Sequence, residues 1–209
     1  MNNQTRRTSC TGPAGPIECA IDEPVTALRG VAVIAHPHPL FGGTMDNKVV
    51  QTLVRALRQL GYRCVRFNFR GVGQTAGSHD GGPGERDDML TVIRALHQDD
   101  PMVSALPLVL AGFSFGAYVT TLAAEALPAE HKAERLLLVG PSTQRATPAA
   151  VPPDTLVIHG ETDEVVPLSA TLDWARPQNL PVIVMPGVGH FFHGQLTLLR
   201  DLILRCWHR

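Results

Sequence analysis

Excess charge of one sign is missing from this 209-residue chain: 18 Lys and Arg stand against 19 Asp and Glu, a formal net charge of −1. A nucleic acid or an anionic membrane is held by a surplus of cations, so neither is expected as a partner. Long apolar runs are missing too. Val31 to Ala35 and Leu106 to Ala111 are strand-sized, far short of the roughly 20 residues a membrane helix needs. The opening MNNQTRRTSC has two arginines but no apolar segment behind them, so it does not read as a secretory signal. These absences predict a soluble, cytoplasmic protein.

Cysteine is sparse. Cys10, Cys19, Cys64 and Cys206 form no CxxC pair, which leaves a zinc ribbon or a thioredoxin-like centre without support. Cys10 and Cys19 are spaced to face each other across a hairpin, but in a cytoplasmic chain of this size free thiols are expected. Cys64 lies in an apolar strand pattern and reads as core packing. There is no internal repeat, low-complexity block or long linker.

What is present fits one domain over residues 1–209, with 44% hydrophobic residues to build a full core. Strand-like and helix-like segments alternate, which points to a mostly parallel sheet wound with helices on both faces. The stretch through Asp22 reads as a short antiparallel hairpin around Gly12-Pro13-Ala14-Gly15. Strands are then predicted at Gly30 to Ala35, Cys64 to Phe69, Pro107 to Gly112, Arg135 to Val139, Thr155 to His159 and Pro181 to Met185. Helices are predicted over Asn47 to Leu60, Glu85 to His97, Phe115 to Leu127, Leu168 to Ala175 and Gly194 to Trp207. Between Val139 and Thr155 lies only a stretch rich in proline, threonine and alanine, too short to fold a lid domain. An open site follows.

Gly112-Phe113-Ser114-Phe115-Gly116 matches G-x-S-x-G, with an apolar strand before it and an apolar helix after it. A sharp strand-to-helix turn strains the serine and exposes its Oγ, and the glycines permit close approach of neighbouring backbone. The helix start supplies unpaired N–H groups for a developing oxyanion. The other reading of such a turn is a bystander serine. Asp163 follows the Thr155 strand, at the carboxyl edge where open α/β sheets place their sites. Glu161 and Glu164 compete for its role but read as surface charge. His190 follows the last strand behind Gly187 and Gly189. His193 is its competitor and reads as a polar residue near the final helix. Ser114, Asp163 and His190 stand in the chain order of an α/β-hydrolase triad: nucleophile, orienting acid, general base.

The G-x-S-x-G turn, the HGETDEVVP loop from His159 and the GHFFHG segment from Gly189 resemble the α/β-hydrolase superfamily. HPHPLFGGTMDNKVV from His36, with RFNFRGVGQTAGSHDGGPGERDD from Arg66, is similar to small lid-less bacterial serine hydrolases related to the dienelactone hydrolase family. The resemblance runs from Gly12 to the end of the chain, and HPHPLFGG is its most group-specific part. It implies the α/β-hydrolase fold and esterase-like acyl transfer, with a second oxyanion donor after the first long strand. In the superfamily a His-Gly-x sequence fills that loop and x gives its N–H. His38-Pro39-Leu40 overlays the pattern best, and Pro37 and Pro39 have no N–H. The resemblance therefore implies Leu40 as one backbone donor and Phe115 as the other. Dienelactone hydrolases proper use a cysteine nucleophile where this chain has serine, which counts against dienelactone as substrate.

Other groupings read as structural. His36-x-His38 and His190-x-x-His193 suggest a metal site only superficially, because prolines constrain the first pair. No metal is expected. Gly71-Val72-Gly73 and Gly81-Gly82-Pro83-Gly84 match no phosphate-binding pattern, and no cofactor is expected. Arg70 lies at the active edge, where a structural salt bridge is the simpler role than contact with an acidic substrate. Phe41, Phe69, Phe113, Phe115, Phe191 and Phe192 all flank predicted site loops, and some should line an apolar pocket. The sequence thus predicts hydrolysis of a small-molecule ester or thioester through an acyl-enzyme. An acyltransferase or peptidase on the same triad, and a non-catalytic binding protein of the same fold, stay open, as does homodimerisation.

Overall fold

The computed structural model describes residues 5–99, 101–144 and 146–207, and side chains at 99, 101 and 102 lie outside that description. Its centre is an eight-stranded sheet in the order β1-β2-β4-β3-β5-β6-β7-β8. β1 (Thr5–Gly12) and β2 (Gly15–Asp22) form the N-terminal hairpin, and β2 pairs antiparallel with β4 (Tyr62–Phe67). The rest is parallel: β3 (Gly30–Ala35), β5 (Leu108–Phe113), β6 (Arg135–Val139), β7 (Leu156–Gly160) and β8 (Val182–Met185). Every residue of β3, β5 and β7 is buried. A strand covered on both faces must read as an unbroken apolar run, which is why GVAVIA and LVLAGF lack polar alternation.

Helices cover both faces. α1 (Lys48–Gln59) and α6 (Leu196–Trp207) lie on one side, where Val50, Leu53, Leu57, Leu199 and Ile203 pack against Ala32, Ile34, Val109 and Leu137. α2 (Pro83–Asp99) and α4 (Phe115–Ala126) lie on the other, where Met89, Ile93, Val119 and Ala123 meet Val31, Val33, Leu110 and Leu138. A short α3 (Pro101–Ser104) precedes β5, and α5 (Leu168–Ala175) follows β7. α1 begins on Asn47, whose side chain accepts from the N–H groups of Val49 at 2.8 Å and Val50 at 3.4 Å. It ends before Gly61, whose φ of 91° a side chain would resist.

Several details differ from the sequence reading, element bounds by one or two residues among them. β4 starts and ends two residues early, because its register is set by β2 and β3 and the chain leaves the sheet at Asn68. The short α3 carries too little periodicity to be read. Cys10 lies opposite Ile17 and Cys19 opposite Thr8, so the two are diagonal, and all four cysteines are thiols.

The segment between β6 and β7 holds no described helix or strand and adds no lid. It is tied along α4 and α5 instead. The Ala149 N–H donates to Thr121 Oγ1 at 3.0 Å, Trp174 Nε1 donates to Pro148 O at 3.2 Å, and Val151 N–H donates to Gln178 Oε1 at 2.9 Å. Among the described residues no helix is long and apolar enough to cross a membrane.

Candidate active site

Three loops at the carboxyl edge of the sheet bring Ser114, Asp163 and His190 together. Ser114 sits between β5 and α4 at φ 56° and ψ −119°. An L-residue there is outside its ordinary regions, at a cost of about 1–3 kcal/mol. The surroundings enforce it. The Ser114 N–H donates to Val139 O at 2.9 Å, pinning the turn to β6. A Cβ on Gly112 would lie 2.4 Å from the Gly116 backbone, and one on Gly116 would lie 2.4 Å from the carbonyls of Ala35 and His36. Both motif glycines are thus needed where they stand.

Ser114 Oγ lies 2.9 Å from His190 Nε2, and His190 Nδ1 lies 2.7 Å from Asp163 Oδ2. Both Asp163 and His190 are buried. Asp163 Oδ1 accepts from the N–H groups of Val165 at 2.9 Å and Val166 at 2.7 Å. Burial by itself would raise this carboxyl, but the hydrogen bond from His190 and those from Val166 and Val165 outweigh it and hold it below the ordinary aspartate value. An ionised carboxylate thus faces Nδ1, favours the tautomer with the proton there, and leaves Nε2 as an acceptor toward the serine hydroxyl. Glu161 and Glu164 are exposed, and Glu161 accepts from the Gly187 N–H at 2.8 Å. His193 is exposed on the turn before α6.

The loop after β3 is where a second donor is expected. Leu40 sits in a 3₁₀ turn (Pro39–Phe41), is 71% exposed, and turns its N–H onto His38 Nδ1 at 3.3 Å. It does not line the cleft beside Ser114, whereas His38 does. β3 ends at Ala35, which places both His36 and His38 in the loop that follows. Phe115 opens α4 directly after the serine.

His36 is buried, and both of its ring nitrogens are committed. Nδ1 lies 2.6 Å from Pro37 O, and Nε2 accepts from the Phe69 N–H at 2.9 Å. Burial drives its pKa down to about 4 against the opposing bond to Pro37. A neutral ring with no nitrogen to spare cannot ligate a metal, so His36 shapes the loop by joining the ends of β3 and β4. Arg70 forks onto Asp88 with two contacts of 2.9 Å and donates to Gly84 O at 2.8 Å. It is a structural anchor.

A cleft of about 370 Å³ opens beside Ser114 and His190, with Phe41, Val165 and Phe191 as apolar lining and His38 and Asn47 among the polar groups. Phe41 and Phe191 are exposed on its rim, while Phe69, Phe113, Phe115 and Phe192 are buried. Sequence reasoning missed two groups at this edge. His159, wholly buried, stands 3.4 Å from Asp163, and His79 is bonded to buried Glu85. His79 lies in an aperiodic turn and His159 inside a strand, and neither has a spacing that would have marked it.

The fold and this edge define a lid-less α/β serine hydrolase. Residues 28–153 match the family described as serine aminopeptidase, S33, and the chain belongs to that family of α/β-hydrolases. A structure from Xanthomonas campestris, described as an α/β serine hydrolase without lid, is 38% identical with a TM-score of 0.89, covering 99% of this chain and 94% of that one. An α/β serine hydrolase homologue from Coxiella burnetii is 39% identical with a TM-score of 0.86, covering 98% and 97%. An uncharacterised Rickettsia prowazekii protein is 40% identical over 108 residues, which span 52% of this chain and only 44% of that protein's length.

Proposed function

We propose that the protein cleaves a small carboxylic ester or thioester through an acyl-enzyme on Ser114. The observation that carries this reading is the unbroken line from Ser114 Oγ through His190 to Asp163, at 2.9 and 2.7 Å. As Oγ attacks the carbonyl carbon, His190 Nε2 takes its proton, and the imidazolium then delivers that proton to the departing alcohol or thiol. Water reverses the roles: His190 takes its proton as its oxygen bonds to the acyl carbon, the bond from that carbon to Oγ breaks to release the acid, and Oγ recovers the proton from His190. Asp163 holds the tautomer and stabilises the imidazolium.

The oxyanion is assigned to the Phe115 N–H at the start of α4 and to the backbone of His38, the one residue between Pro37 and Pro39 that carries an N–H. An aminopeptidase, as in the family's description, must bind a cationic α-amine. Among the described residues no carboxylate lines the cleft, and its lining favours an apolar group. The ester reading is preferred on that ground.

The test is a fluorophosphonate probe followed by peptide mapping, with p-nitrophenyl acetate, the corresponding thioester and an aminoacyl p-nitroanilide as substrates. Labelling of Ser114 with turnover of the esters is expected. An unlabelled Ser114, or turnover of the anilide alone, would overturn the proposal.

A further inference from the structure

We propose that His79, outside the triad, is a positioning residue that braces the two backbone groups assigned to the oxyanion. The inference rests on the hydrolase reading above. Its ring packs against the side chains of both donors: the centroids lie 4.6 Å from His38 and 5.2 Å from Phe115, and those two rings are 4.9 Å apart. Three rings, from two loops and the first residue of α4, close a triangle. On the backbone side the same two loops touch at Gly116, where no Cβ fits against the Ala35 and His36 carbonyls. The loop after β3 is thus fixed to the serine turn from one side by backbone and from the other by His79.

The His79 ring is itself held from behind. Its Nδ1 lies 2.8 Å from Oε1 of Glu85, a carboxylate with no exposed surface. Glu85 also accepts from the N–H groups of Gly82 at 2.8 Å and Asp80 at 3.2 Å. Arg70 secures the same turn through Gly84 O and Asp88, and Asp80 accepts from the Gly84 N–H at 2.9 Å. A carboxylate so deeply buried keeps its partners fixed, because losing one leaves charge without compensation. The imidazole cannot swing away, so it serves as a wall rather than a mobile surface residue. His79 is not among the residues lining the cleft, and no contact with substrate is assigned to it.

A brace of this kind acts on the transition state. Phe41, Val165 and Phe191 give the cleft its apolar lining, to which His79 does not belong, whereas an oxyanion would depend on where the His38 and Phe115 amides point. A misplacement of about 1 Å costs up to roughly 100-fold, so a partly relaxed loop should cost on the order of tenfold.

Three variants separate bracing from folding. His79→Asn keeps an N–H for Glu85 and removes the ring. His79→Phe keeps a ring and removes the bond. His79→Ala removes both. The expected result is a fall of about tenfold in kcat for Asn and Ala, with KM within about twofold and a parallel loss of affinity for a trifluoromethyl ketone, whose adduct carries the oxyanion. Phe should recover most of kcat while melting at a lower temperature than Asn. Wild-type kcat in His79→Asn, or kcat that follows melting temperature across all three variants, would overturn the brace alone. A wild-type protein whose Ser114 takes no fluorophosphonate would overturn the hydrolase reading, and the brace with it.

Discussion

Oδ2 of Asp163 lies 3.4 Å from Nε2 of His159, a second imidazole with no exposed surface, in addition to its 2.7 Å contact with His190. His159 Nε2 lies 2.9 Å from the Val166 carbonyl and its Nδ1 lies 3.3 Å from Thr171 Oγ1, so its ring is fixed on both sides. Burial lowers its pKa, opposed by the bond to Val166 and by Asp163. The neighbour of Asp163 is therefore a neutral ring, and the carboxylate's charge is directed at His190. The two oxygens of Asp163 divide the work: Oδ1 holds the loop through Val165 and Val166, and Oδ2 faces His190.

That division makes Asp163→Asn informative. Asparagine keeps Oδ1 for the two backbone N–H groups, so the loop should stay folded. Its Nδ2 would donate to His190 Nδ1 and force the other tautomer, with a proton on Nε2 where an acceptor is needed. A loss on the order of 10⁴-fold in kcat is expected, with little change in melting temperature. Steady-state kinetics and a thermal melt check both halves, and a loss under tenfold would argue against His190 as base.

Ser114 carries strain as well as the hydroxyl. Ser114→Ala should lower kcat by 10⁴-fold or more and leave stability near wild type, since alanine meets the same backbone penalty. Ser114→Gly should be as inactive but more stable, by about 1 kcal/mol, because glycine accepts φ 56° freely. Calorimetry on the pair checks this. Equal melting temperatures would show that the turn is unstrained.

The order of the elements and the three loop residues were legible because each has a local cause. Parallel strands must be apolar throughout, Asn47 and Gly61 punctuate α1, and G-x-S-x-G is a steric requirement visible in five residues. What was not legible depends on contacts distant in sequence. Which backbone N–H of the HPHPL loop turns toward the serine depends on how that loop packs, as in the 3₁₀ turn that aims the Leu40 N–H at His38. The bond between His79 and Glu85 arises inside an aperiodic glycine-rich turn, and His159 reads in sequence as one more strand residue.

Acid should destabilise the fold through His36. In the unfolded chain this ring titrates near 6.5, and in the fold near 4, so the unfolded state binds more protons between those values. Its contribution is complete above about pH 6.5 and is lost as pH falls toward 4, by roughly 3 kcal/mol at about 1.4 kcal/mol per unit. His159 acts in the same direction. The depressed Asp163 carboxyl adds a loss at still lower pH, through its folded value. Urea midpoints at pH 7 and pH 4.5 measure the effect. His36→Gln should start lower at pH 7 but show a shallower acid slope, and an unchanged slope would remove His36 as its source.

Substrate length should be read out by the cleft's apolar lining. The stretch from β6 to β7 is tied along α4 and α5, so the wall that a lid would provide is absent and the apolar surface near Ser114 comes from Phe41, Val165 and Phe191. Each CH₂ that these side chains desolvate contributes about 0.8 kcal/mol, close to a fourfold gain in kcat/KM. Carbons beyond them stay in water and contribute nothing. Across p-nitrophenyl esters from C2 to C12, kcat/KM should climb over the first few carbons and then level off. Phe191→Ala should flatten the climb and leave the acetate ester nearly unaffected, since an acetyl group is too short to need that wall. A monomer whose kcat/KM kept rising to C12 would require a covering surface that this chain does not supply beside Ser114, and would refute the open-cleft account.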